Sequence, residues 1–166
     1  MNILLITLLS FLLTSTVNTG KISDFRLNDL DNKSVRYSEI KGKKVTVIDF
    51  WATWCKPCLR SIPKLVQLRE KYQAQGVQFL GINVDGVRNL NKVKPMAHAL
   101  EINYPVLIDL NNQVMSDLKI NAMPTILVVN EKDEIVARHQ GYRPGDEKVL
   151  EEEIQKLLTA GPPDEK

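Results

Sequence analysis

Both cysteines of this 166-residue chain lie in one run, Phe50-Trp51-Ala52-Thr53-Trp54-Cys55-Lys56-Pro57-Cys58, so all its thiol chemistry is confined to nine residues. A disulfide closing so short a ring would restrict the unfolded chain by only roughly 2 kcal/mol, which makes it a poor structural staple. A closed zinc site needs four ligands, and the two histidines, His98 and His139, stand far from the cysteines with no ligand spacing. The spacing therefore points to a redox-active dithiol.

A disulfide is attacked by a thiolate, so one cysteine must have its pKa lowered towards ambient pH. The first cysteine of a C-x-x-C pair at a helix start obtains this from the free N–H groups and the positive end of the helix. Cys55 is thus the expected nucleophile, and Cys58, one turn further in and less exposed, the expected resolving thiol. Between them, Lys56 would add a positive charge beside the thiolate, and Lys56 and Pro57 together are candidate pKa-tuning residues. Asp49 ends an otherwise apolar stretch six positions before Cys55. If buried, its carboxyl would have a raised pKa and could accept the Cys58 proton; the alternative is a solvent-facing aspartate at a strand edge. Trp51 reads as a packing group, and Trp54 as a flat contact surface beside the nucleophile. Met123-Pro124-Thr125 precedes a strong apolar run, where a proline suits a tight turn and a cis bond.

These groups need a strand that hands over to a helix. Val45–Phe50 is a β-branched run typical of a buried strand, and from Lys56 to Gln75 the residues Leu59, Ile62, Leu65, Val66 and Leu68 recur at helical spacing until Gly76. Before them, Asp24–Tyr37 alternates around Asp31-Asn32-Lys33 as a hairpin. After them come a strand over Val77–Val84, a helix over Asn89–Glu101 with Pro95 in its first turn or kinking it, a strand over Tyr104–Ile108 and a short helix over Asn112–Ile120. A strand over Thr125–Val129, a hairpin partner over Glu134–Arg138 and an amphipathic helix over Asp146–Leu158 close the chain. Such alternation predicts an α/β domain with a central mixed sheet flanked by helices.

The mass of 18.8 kDa and 43% hydrophobic content suit one core. Twenty-two Lys and Arg against 20 Asp and Glu give no basic block for nucleic acid. Ile3–Leu13 is apolar but for Thr7 and Ser10, and the first charged side chain is Lys21. Residues 1–20 accordingly read as a signal peptide or an uncleaved N-terminal anchor, and 21–166 as the folded domain. A lone dithiol in an exported chain fits a catalyst better than a disulfide scaffold.

With Trp54-Cys55-Lys56-Pro57-Cys58, Asp49, Pro63 and Met123-Pro124-Thr125 in place, the sequence resembles the thioredoxin superfamily, in particular the exported TlpA-like and ResA-like thiol-disulfide oxidoreductases. The likeness runs from about Phe25 to Leu158. It implies a thioredoxin-like fold with an extra N-terminal β-hairpin, a cis Pro124 facing Cys55, and a peptide at Met123 that pairs with the substrate backbone. Two positions depart from the pattern. Thioredoxin places a lysine opposite its buried aspartate where this chain has Gly81, and ResA-like proteins carry a glutamate three positions after the second cysteine where this chain has Ser61.

The resemblance implies a protein-disulfide reductase of exported proteins, in the bacterial periplasm or on the outer face of the cytoplasmic membrane, re-reduced by a membrane thiol electron donor. It would work as a monomer without a cofactor or metal, and the family role extends to cytochrome c maturation, which Ser61 sets in question. Lys56 pulls the other way, towards a disulfide donor or isomerase. Peroxidases of this fold place threonine three positions before the reactive cysteine, whereas Thr53 stands two before Cys55. A metallochaperone or binding module is the non-enzymatic alternative; copper chaperones of the fold use a longer cysteine spacing and a distant histidine.

Overall fold

The computed structural model describes residues 20–160; the expected leader, except Gly20, and the last six residues lie outside them. The chain begins with an antiparallel hairpin, β1 (Arg26–Asp29) and β2 (Ser34–Arg36), turned at Asn32 with φ 60°. A single helical turn, α1 (Tyr37–Ile40), leads to β3 (Val45–Trp51). Next come α2 (Lys56–Tyr72), β4 (Val77–Asn83), α3 (Leu90–Ala99) and β5 (Val106–Ile108). The last elements are α4 (Gln113–Asp117), β6 (Thr125–Asn130), β7 (Ile135–Gln140) and α5 (Asp146–Thr159).

The seven strands form one sheet in the order β2-β1-β5-β4-β3-β6-β7. The pairs β3/β4 and β4/β5 are parallel and the others antiparallel, so the expected mixed sheet is present. All seven residues of β3 are buried, because a central strand is covered on both faces, and apart from Thr46 and Asp49 they are apolar. Its successive side chains divide between two cores. Val45 and Val47 pack with Leu65, Leu68 and Tyr72 of α2 and Leu150 and Ile154 of α5, whereas Ile48 and Phe50 join Val93 and Ala97 of α3 and Val114 of α4. Among the described residues no helix is long and apolar enough to cross a membrane.

Several elements differ from the periodicity reading at their ends. The strand expected from Tyr104 starts at Val106, since Pro105 has no N–H to give the ladder; its carbonyl accepts from Gly81 N–H instead (2.9 Å). Pro95 falls inside α3, past its first turn. The short helix spans only Gln113–Asp117, flanked by Asn112 and Lys119 with φ 55° and 53°. Gly76, with φ 86°, ends the 3-10 turn that follows α2, a backbone conformation glycine adopts without strain.

Candidate active site

Leaving β3 at Trp51, the chain turns through Ala52, Thr53 and Trp54 and enters α2 with Cys55 as its N-cap. Cys55 N–H donates to Ala52 C=O (3.1 Å) and Cys55 C=O accepts from Leu59 N–H (3.1 Å). The Cys55 sulfur accepts from Cys58 N–H at 3.2 Å, so one unsatisfied helix-start donor points at the expected nucleophile. Cys55 and Cys58 are joined in a disulfide, with their Cα atoms 5.3 Å apart. Both are buried, Cys55 with 4% exposure and Cys58 with none. Pro57 occupies the first turn, where its missing N–H costs no hydrogen bond.

Asp49 is buried at 1% exposure in the middle of the sheet, which excludes the strand-edge reading. Neither carboxylate oxygen has a hydrogen-bond partner. Burial alone pushes its pKa up to about 7, because the charged form loses its hydration without compensation. Gly81 is its direct partner on β4, so no side chain stands at the position where the resemblance puts the lysine of thioredoxin. Ser61 is also buried, and its hydroxyl donates to Cys58 C=O (3.0 Å).

The sheet brings Met123 and Pro124 to the same end as the dithiol: Thr125 pairs with Phe50, so Pro124 lies one step beyond, level with the exit of β3. The Met123–Pro124 peptide is cis, Pro124 C=O accepts from Gly141 N–H (2.8 Å), and Thr125 Oγ1 donates to Ala122 C=O (2.7 Å). Trp54 is 60% exposed beside Cys55, while Trp51 is fully buried. Lys56 is exposed. Pro57, Gln140, Gly141, Tyr142, Arg143 and Asp146 line an open hollow of about 490 Å³ next to the pair. A larger hollow of about 660 Å³, between the β1 hairpin and α3, includes none of the dithiol residues. Among the described residues no three His, Cys, Asp or Glu side chains are grouped to hold a metal ion.

One part of the site escaped the sequence reading. Asp85, just past β4, accepts from Thr53 N–H (2.7 Å), from Thr53 Oγ1 (2.5 Å) and from Asn83 Nδ2 (2.7 Å), while Asp85 N–H donates to Asn83 Oδ1 (3.1 Å). This cluster fixes the turn that delivers Cys55. Its signal in the sequence is the polar pair Asn83 and Asp85 closing an apolar strand, which serves no purpose unless something there is to be held.

Residues 19–138 match the model of the AhpC/TSA family. The thiol-disulfide oxidoreductase ResA of Geobacillus thermodenitrificans is 36% identical over 112 residues, 68% of this chain and 63% of that protein; the matched segment thus spans under two thirds of that relative. ResA of Halalkalibacterium halodurans is 31% identical over 81% of this chain and 73% of its own length. A Chlorobium tepidum structure, solved as a candidate thiol:disulfide interchange protein DsbE, superposes with a TM-score of 0.76 at 30% identity, covering 83% of this chain and 95% of that one. StoA of Bacillus subtilis, at 21% identity and a TM-score of 0.65 over 78% of this chain and 95% of its own, shares the fold. With the thioredoxin-like sheet, the closed Cys55–Cys58 pair and these likenesses together, the chain belongs to the AhpC/TSA family and groups there with the ResA thiol-disulfide oxidoreductases.

Proposed function

We propose that this protein reduces disulfides in exported proteins, outside the cytoplasm, through its Cys55/Cys58 pair. The observation that carries the reading is the pair itself, closed at the N-terminus of α2 with the Cys58 N–H donating to the Cys55 sulfur. In the reduced protein the same N–H and the helix start favour the Cys55 thiolate. That thiolate attacks one sulfur of a substrate disulfide, forming a mixed disulfide and releasing the other substrate sulfur as a thiolate. Cys58 then gives its proton to the Asp49 carboxylate, attacks the Cys55 sulfur and displaces the second substrate thiolate. Two electrons have passed to the substrate, and the Cys55–Cys58 disulfide remains. A thiol donor at the membrane reopens it by the reverse steps.

Trp54 and the Met123–Pro124 segment, at the same end of the sheet, form the surface for the substrate backbone. The apolar stretch Ile3–Leu13 supports action in the periplasm or on the outer face of the cytoplasmic membrane. Lys56, exposed beside Cys55, favours the thiolate as well and so supports the rival reading, a disulfide donor. Equilibration with glutathione redox buffers separates the two: a reductant sits near thioredoxin, about −270 mV, and a value near about −120 mV would sink the reductase reading. Rapid turnover of hydrogen peroxide by the reduced protein would overturn both.

A further inference from the structure

Among the described residues six buried side-chain polar atoms lack hydrogen-bond partners, and four of them belong to Asp49, Trp51 and Tyr104. Gly81, its partner across β3 and β4, has no side chain, and a Cβ there would come within 3.1 Å of Trp51 Nε1, 3.4 Å of Tyr104 Cε2 and 3.5 Å of Val106 Cγ2. The glycine thus lets an indole and a phenol close against the strand at the carboxyl. Trp51 is fully buried and Tyr104 is 6% exposed. Trp51 Nε1, the Tyr104 hydroxyl and both Asp49 oxygens all lack hydrogen-bond partners. Two donors and two acceptors gathered round one glycine are unusual, since buried polar groups are nearly always paired.

Among the described residues no charge acts on the carboxyl, which burial alone perturbs, and α5 packs on this face through Leu150 and Ile154. Asp49 is flanked in the sheet by Gly81 and Ile126, and α2 turns Cys58, Ser61, Ile62 and Leu65 inwards, none of them charged in the disulfide state. Tyr104 does sense the carboxylate. Its phenol is held well above its ordinary pKa, first by burial and then by Asp49.

We infer that Tyr104 is a positioning residue for the proton acceptor: when Asp49 ionises, the Tyr104 hydroxyl and the Trp51 N–H hydrogen-bond its carboxylate, directly or through one internal water. The four polar atoms supply the two to four partners such a water requires. In this chain the pair replaces the compensating lysine that Gly81 excludes. The inference rests on the reading of Asp49 as the acceptor for Cys58. Stabilising the ionised carboxylate lets Asp49 take the Cys58 proton at a lower pH than burial alone would permit.

The test uses the reduced full chain with excess dithiobis(nitrobenzoate), whose coloured thiolate is released twice. The first release depends on reagent concentration and reports attack by Cys55. The second does not, and reports Cys58 passing its proton to Asp49 and displacing thionitrobenzoate from Cys55. Tyr104→Phe should move the pH profile of the second phase upward by about one pH unit, slowing it about tenfold below the midpoint, with the first phase unchanged. Gly81→Ala, which pushes a methyl against the indole nitrogen, should move the profile the same way and serves if Tyr104→Phe does not fold. A second phase slowed equally at every pH, or an unmoved midpoint in both variants, overturns the inference. Asp49→Asn separates it from the reading beneath: if that variant keeps the wild-type profile, Asp49 is not the acceptor, whereas a lost pH dependence with unmoved Tyr104→Phe and Gly81→Ala profiles removes Tyr104 alone.

Discussion

Thr53 is bound to Asp85 twice, its N–H to Oδ2 at 2.7 Å and its hydroxyl to Oδ1 at 2.5 Å, although 32 residues separate them in the chain. The link crosses from the turn after β3 to the exit of β4. It holds the backbone two residues before Cys55 against the rigid centre of the sheet, so α2 starts at one fixed place.

Replacing Asp85 by alanine removes both bonds and the one from Asn83, leaving three donors without their acceptor. The site is half-buried, and a loss of about 2 kcal/mol is expected, read as a lower urea midpoint at unchanged slope. The first, Cys55-dependent phase of thiol exchange should slow as well. Thr53→Val keeps the N–H bond and should cost about half as much. If the two variants proved additive in the double mutant, the residues would be uncoupled and the clamp would be refuted.

A second tie secures the amino-terminal hairpin region. Asp133, in the β6–β7 turn, accepts from both sides: Lys41 Nζ reaches its two oxygens at 2.7 Å, and the Tyr37 hydroxyl donates to Oδ1 at 3.1 Å. Asp133 has φ 64°, a conformation asparagine also tolerates, so Asp133→Asn removes the charge without straining the turn. With both ion-pair side chains only about a quarter exposed, unfolding should become easier by about 1 kcal/mol. Because the β6–β7 turn follows the Asn130 end of β6, opposite the Thr125 end that lies level with the exit of β3, exchange kinetics should not change; an altered second phase would mean the tie reaches the site.

The dithiol and the elements around it were legible because local chemistry specifies them. A β-branched run, a cysteine at the helix start and a proline in its first turn each have one comfortable place, and β3 and α2 appear with ends near those expected. The burial of Asp49 was foreseeable from its apolar neighbours, but not the identity of what surrounds it. Tyr104 lies 55 positions further along the chain and is brought against Gly81, the strand partner of Asp49, because β5, which it precedes, lies next to β4; no periodicity encodes such a meeting. Asp85 was hidden for the same reason, since its partner Thr53 belongs to a different strand exit. Ends of α3, α4 and β5 were misjudged where one residue in a left-handed conformation or one missing N–H decides the boundary.

The asymmetry of the pair can be trapped. With Cys58→Ala, Cys55 still forms the mixed disulfide but nothing within the protein resolves it, so covalent adducts with disulfide substrates should accumulate and be visible by non-reducing electrophoresis and mass spectrometry. Cys55→Ala should trap far less, since Cys58 is fully buried. Comparable adducts from the two variants would show that Cys58 is as accessible as Cys55 and reverse the assigned roles.

Asp49 should also leave a signature in stability. Its carboxyl titrates near 3.8 when unfolded and at about 7 when folded, raised by desolvation. Below pH 3.8 both states hold the proton, so the carboxyl adds no pH dependence to stability there. As pH rises from there to about 7, the unfolded chain releases its proton while the folded protein retains it, so stability falls across that window and stays low above it. The gap corresponds to about 4 kcal/mol, a large part of the total for a domain of this size. Asp49→Asn is neutral throughout. Its unfolding free energy, measured on the disulfide form by urea titration, should gain on the wild type by up to about 4 kcal/mol between roughly pH 4 and pH 8. The absolute values need not match at low pH, because the buried amide brings unpaired groups of its own. What matters is the slope: parallel curves for the two proteins would mean that Asp49 is charged in the folded state at acid pH, and that it is no proton acceptor for Cys58.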